Sequence, residues 1–196
     1  MNRHSEPCEA VQPSTLALDL ADHLAHSGDV HFYRWTKGRS AETMPWLQII
    51  EAPMDNKFHY LTAGASKILD GPGYGMEFCY IANEKSCDNI ELLAMVSYMH
   101  SMQSHRLDVG HTMNIGRPIA NGSHLDRLLV SLPYPYGSDF EFVHLSDGSH
   151  VRVLWLLPIS KSEEHFRHEH GLEQLEELFD TNEIDFSDPL RNLVVT

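Results

Sequence analysis

The run from His150 to Gly171, His-Val-Arg-Val-Leu-Trp-Leu-Leu-Pro-Ile-Ser-Lys-Ser-Glu-Glu-His-Phe-Arg-His-Glu-His-Gly, limits the fold more than any other stretch of the chain. Its apolar residues become continuous from Val153 to Leu157. A strand with one wet face alternates, whereas one covered on both faces does not, so this run predicts a central strand. Pro158 has no N–H to give to a ladder and predicts the strand's end. Ser160 stands three residues ahead of Glu163, the capping-box spacing. There the serine hydroxyl takes an orphan N–H of a new helix and the glutamate reaches back to the cap. A buried strand running into a capped helix places the structural centre here.

The remaining segments alternate between helix and strand signals. Residues up to Gln12 read as a loose tail, giving a tail over 1–13 and one domain over 14–196. Ser14 or Thr15 can cap a helix in which Leu16, Leu20 and Leu24 recur at i+4, closed by Ser27-Gly28. Strands are predicted at Val30–Trp35, Trp46–Ile50, Phe58–Leu61, Met76–Ala82 and Leu128–Leu132, with a turn at Asp55-Asn56. A buried helix is predicted from Asn89 to Ser104, capped by Asp88 or Asn89, and Asp108–Gly122 reads as an ordered loop. Phe140–Leu145 and His150–Leu157 flank an Asp147-Gly148 pair, which predicts a hairpin on a type I′ turn with φ > 0 at both residues. Two short helices are expected on either side of Gly171, and Leu193–Val195 reads as an edge strand. The pattern is α+β, a mixed and mostly antiparallel sheet packed with helices.

Charge narrows the function. The net charge is −14, with only 14 Lys and Arg, which excludes a nucleic-acid binder that relies on phosphate contacts. It favours a basic partner drawn in by the field of the whole molecule. Glu163 to Asp188 holds ten acids against one base, Arg167. Such a face serves solubility as readily as a partner. No apolar run approaches a membrane span, and the polar first residues carry no signal-peptide core. Three cysteines (Cys8, Cys79, Cys87) are an odd number without paired spacing, which predicts free thiols in a reducing cytoplasm.

Catalytic and metal patterns are sparse. Fourteen histidines raise the question of a metal, yet neither His165, His168 and His170 nor His100, His105 and His111 has a recognised zinc spacing, so no metal or cofactor is expected. Gly71-Pro72-Gly73-Tyr74-Gly75 lacks the Gly-Lys-Ser/Thr of a phosphate loop and reads as a shaped turn. Glu77 in an apolar strand is the one catalytic hint. It is either a buried carboxylate with a raised pKa or one hydrogen-bonded to loop backbone.

Taken in order, several segments resemble the suppressor of fused family. They are His59-Tyr60-Leu61-Thr62-Ala63-Gly64-Ala65-Ser66, Gly73-Tyr74-Gly75-Met76-Glu77-Phe78, the Leu92–Met99 helix, Leu154-Trp155-Leu156-Leu157-Pro158-Ile159-Ser160 with its Glu-rich helix, and Asp188-Pro189-Leu190-Arg191. The resemblance spans Val30 to Val195. It implies a non-catalytic α/β domain that binds protein partners, and its compact single-domain form looks like the bacterial members, a source of immunity proteins against toxins. It also implies a partner contact by an acidic residue in the loop after the central helix, where Asp108 stands here, followed by Val109-Gly110-His111.

These readings converge on a cytoplasmic, acidic, non-enzymatic protein-binding domain, an immunity protein that neutralises a basic toxin by covering it. A sequestration module for an endogenous regulator is the alternative, and a hydrolase using Glu77 and nearby histidines is a third. The candidate partner-binding residues are Asp108 and His111, Tyr74 in the Gly-rich loop, and Glu163, Glu164, Glu173, Glu176 and Glu177 of the acidic stretch.

Overall fold

The computed structural model describes residues 7–24, 28–68 and 75–195. In chain order its elements are β1 (Cys8–Ala10), α1 (Thr15–His23), β2 (His31–Trp35), α2 (Gly38–Thr43), β3 (Gln48–Met54), β4 (Lys57–Ala63), β5 (Gly75–Ala82), α3 (Cys87–Ser101), β6 (Thr112–Asn114), β7 (Arg127–Ser131), α4 (Ser138–Glu141), β8 (Phe142–His144), β9 (His150–Ile159), α5 (Lys161–His170) and α6 (Leu172–Thr181). Two compact units contain them: Met1–Arg106 with Leu132–Trp155, and Leu107–Ser131 with Leu156–Thr196. The fold class is α+β with a mixed, mostly antiparallel sheet, as the sequence predicts.

In the first unit the strands run in the order β1-β2-β3-β4-β5-β9. Every neighbouring pair is antiparallel except β5 and β9, which are parallel, and β8 adds antiparallel to β9. The α1 residues Ala17, Leu20, Ala21 and Leu24 pack on Ile50 and Ala52 of β3, Leu61 and Ala63 of β4, Cys79 of β5 and Val151 and Val153 of β9. Helix α3 packs against β2, β4 and β5, with Leu93 and Val96 buried and the His100 ring edge-on to Phe78. Successive strand residues point to opposite faces, so helices on both faces explain the continuous burial of β4 and β5 from their third residues onward. Each fully buried leucine in this layer contributes about 1.5–3 kcal/mol.

Several boundaries differ from the expectation, each for a physical reason. Residues 8–10, expected in a loose tail, form the edge strand β1 on β2, and Thr36 N–H donates to Pro7 C=O. The cysteines are not all free: Cys8 and Cys87 form a disulfide that ties β1 to the first residue of α3. Only Cys79 remains a thiol, buried, with its pKa pushed up to about 12 by desolvation. The disulfide removes the premise on which the cytoplasmic expectation rested. The cap of α3 is Ser86, whose hydroxyl accepts the Asp88 N–H, so the helix starts before Asp88 and ends at Ser101.

The type I′ geometry falls at one turn and not at the other. Asp55 and Asn56 both have positive φ (51° and 61°) in the two-residue link between β3 and β4, so the type I′ condition is met there. At Ser146-Asp147-Gly148 only Gly148 has positive φ, and the type I′ expectation fails. Leu145 N–H donates to Ser149 C=O across a three-residue loop, while the Asp147 carboxylate takes the Ser149 N–H and hydroxyl. Helix α1 closes at Leu24, before the predicted stop, and Ser27 lies outside the described residues. Helix α2 was not anticipated.

In the second unit the order is β9-β7-β6, with β6 and β7 antiparallel. Strand β9 passes through Pro158 and ends at Ile159, so the proline lies inside the strand rather than closing it. Leu193–Val195 is not a strand; Val194 instead donates its N–H to the Glu163 carboxylate.

Candidate protein-binding surface

The second unit is built around the predicted capping box. Ser160 accepts the Glu163 N–H (3.2 Å), and the Glu163 carboxylate accepts the Ser160 N–H (2.8 Å). Glu163 is 0 % exposed and receives two guanidinium bonds from Arg191, 2.8 Å each. Arg191 also donates to the carbonyls of Pro158 and Asn192, and its guanidinium lies over the rings of Phe179 and Phe186. The planar fork suits this task, since it can bind a carboxylate bidentately while its faces stack on aromatic rings. Glu163 is therefore an internal anchor and not part of a partner surface, which corrects its place among the candidates.

Its acidic neighbours divide in the same way. Glu164 is half-buried and pairs with Arg127 (2.5 Å), which also bonds Asp126. Glu176 accepts the hydroxyl of buried Ser131. Glu173 and Glu177, one turn apart on α6, are exposed, as are Glu169 and Asp180. Leu175 and Phe179 turn the opposite face of α6 into the core. Only part of the acidic stretch therefore faces solvent.

Asp108 and His111 come together in one exposed turn. The Asp108 N–H donates to His111 Nδ1 (3.1 Å), the His111 N–H donates to Asp108 C=O (3.0 Å), and the Asp108 carboxylate accepts the Val109 N–H. Gly110 has φ +83°, and a Cβ there would sit 3.1 Å from an Arg167 guanidinium nitrogen and 3.5 Å from the Leu172 side chain. The turn thus abuts the α5–α6 junction. The loop candidates and the exposed helical acids belong to the same unit, and the turn packs at Leu172, the residue before Glu173. Tyr74 lies outside the described residues.

The one catalytic hint resolves into structure. Glu77 is 0 % exposed, and its oxygens accept the Thr62 hydroxyl (2.5 Å) and the N–H groups of Gly64, Ala65 and Ser66. Burial raises its pKa and these donors oppose the shift, so both readings of the sequence hold at once. A carboxylate so enclosed fixes the turn after β4. Among the described residues, no group of three or more His, Cys, Asp or Glu could hold a metal ion, and no helix is long and apolar enough to cross a membrane. Arg191 was missed as an anchor because its partner is 28 residues away and no local pattern links them.

Comparison with known proteins places this arrangement. The family model described as Suppressor of fused protein (SUFU) matches residues 44–192. A crystal structure described as a SUFU homologue from Neisseria gonorrhoeae is 32% identical, with a TM-score of 0.77, over 92% of this chain and 97% of that one. The Sufu–Fu complex structure matches at 13% identity and a TM-score of 0.56, over 84% of this chain and 76% of that one. Drosophila Suppressor of Fused matches at 13% and 0.53, over 84% and 42%. These last two speak to the fold alone. No curated protein matches the chain in sequence. With three quarters of its length matched by the family model and a relative above 30% identity over nearly the whole chain, the protein belongs to the suppressor of fused family.

Proposed function

We propose that this chain is a non-enzymatic protein-binding domain, an immunity protein that neutralises a basic toxin by covering it. The observation that carries this reading is the exposed carboxylate row of Glu173, Glu177 and Asp180 on α6, the helix whose first residue, Leu172, lies against the Asp108–His111 turn. Like charges at i,i+4 on a helix cost a few tenths of a kcal/mol, so Glu173 and Glu177 weaken the fold that carries them. A cationic partner turns that cost into attraction and draws association faster. The buried carboxylates Glu77 and Glu163 are committed to internal bonds, which leaves the exposed acids as the reactive feature of the surface.

Co-expression tests this. A basic toxin domain encoded beside this gene is expected to arrest growth when expressed alone, and co-expression of this chain is expected to restore growth and yield a complex by pull-down. Growth that stays arrested, with no complex recovered, rejects the proposal.

A further inference from the structure

The β8–β9 hairpin carries two facing histidines outside the α6 surface. His144 and His150 stand directly opposite each other across the antiparallel pair. The Leu145 N–H donates to Ser149 C=O at 2.9 Å, which makes 145/149 the hydrogen-bonded pair and 144/150 its non-hydrogen-bonded neighbour. Opposed side chains come closest at such a position, with Cβ atoms about 4.5–5.5 Å apart. Val143 and Val151 are buried, so strand alternation sends both histidines to solvent.

The two rings lie 6.1 Å apart between centroids, inclined at 64°. A divalent ion held about 2.0–2.1 Å from each ring nitrogen requires the rings to close by roughly 1 Å, a small rotation for two exposed side chains. Arg152 projects from the same face, and its charge is offset by Glu141, which accepts its Nε and Nη2 hydrogens at 2.9 and 2.8 Å.

We propose that His144 and His150 form a two-imidazole chelate for one borderline divalent transition ion of the zinc, nickel and copper class, with the remaining coordination positions filled by water. Imidazole suits these ions, whereas magnesium and calcium demand oxygen ligands. The bound ion clips β8 to β9 beside their turn. It binds the folded hairpin, which holds the two imidazoles opposite each other, more tightly than the unfolded chain, so it stabilises the protein by mass action. This site stands independently of the toxin-neutralising reading, since neither histidine belongs to the α6 surface.

Calorimetric titration of the full chain with Ni2+ tests it. One tight event is expected, weakened about tenfold or more by His144→Ala and by His150→Ala alike, with His165→Ala close to the parent and Mg2+ giving no binding. His165 is the control because it already pairs with Glu169 one turn on. On the parent protein, trace Cu2+ should broaden the ring-proton signals of His144 and His150 before those of other histidines. Equal affinities for parent and both hairpin variants overturn the proposal, as does earlier broadening elsewhere. Should either variant fail to fold, the broadening order on the parent decides.

Discussion

Glu163 has no exposed surface, and the charge it carries is matched by a single guanidinium. Removing one partner of such a pair leaves a buried charge uncompensated, so Arg191→Leu is expected to cost about 3–5 kcal/mol in urea unfolding. The same change combined with Glu163→Gln should cost less than the sum of the two single changes, because the stranded charge has gone. Additive costs would show that the two residues do not act as a pair. His59 supplies a second residue-level test. It is 2 % exposed, its ring stands edge-on to Tyr136, and burial lowers its pKa to about 4. The unfolded histidine titrates near 6.5, so between these values the unfolded chain binds more protons than the folded one. Stability is therefore fully present above about pH 6.5 and is lost as pH falls through about 4, by roughly 3 kcal/mol on this group's account. Unfolding measured from pH 7 down to pH 4 should show that slope, and His59→Phe should flatten it. A slope unchanged in the variant would assign the acid sensitivity to other groups.

At the scale of elements, what could be read from the sequence was whatever local chemistry controls. The β9–α5 junction was legible because an unbroken apolar run and a Ser-x-x-Glu box are both short-range signals, and α6 was legible from its Leu175 and Phe179 spacing. Strand β1 was not, since three residues with two exposed side chains carry no periodicity, and its attachment depends on Cys87, 79 residues away. The candidate surface divided along the same line. Glu163, Glu173 and Glu177 came alike from one acidic run, and what sets Glu163 apart is its burial against Arg191, which no local pattern announces. Two element-level tests follow. Alkylation of the native protein should label neither Cys8 nor Cys87, and reducing or replacing either should cost about 2–4 kcal/mol through the lost constraint on a long loop. Free labelling of Cys8 in the native state would remove the link between β1 and α3. In the β3–β4 turn, Asn56→Val forces a β-branched residue into the left-handed region at a cost of about 1–2 kcal/mol, while Asn56→Gly stays near the parent. Equal losses from the two changes would point to the side chain rather than the backbone.

On the proposed function, the whole molecule acts through its charge before any contact forms. A net charge of −14 sets up a field that reaches a cationic partner across the solvent, and salt shortens that reach to a Debye length of about 8 Å at physiological ionic strength. On the proposed function, charges on the exposed face of α6 govern how fast the encounter occurs, while the packed residues beneath them govern whether the fold persists. Neutralising Glu173 and Glu177 together to Gln should therefore slow association with the basic domain recovered in co-expression by roughly three- to tenfold at low salt. The difference should shrink as salt rises, because screening removes the same attraction that the substitutions remove. Unfolding of the variant should match the parent within about 0.5 kcal/mol, since both side chains are exposed and their mutual repulsion is relieved. Stopped-flow association across a salt series, with urea unfolding of the same samples, separates these outcomes. An association rate indifferent both to the substitutions and to salt would show that the acidic face of α6 serves solubility and that the partner docks elsewhere.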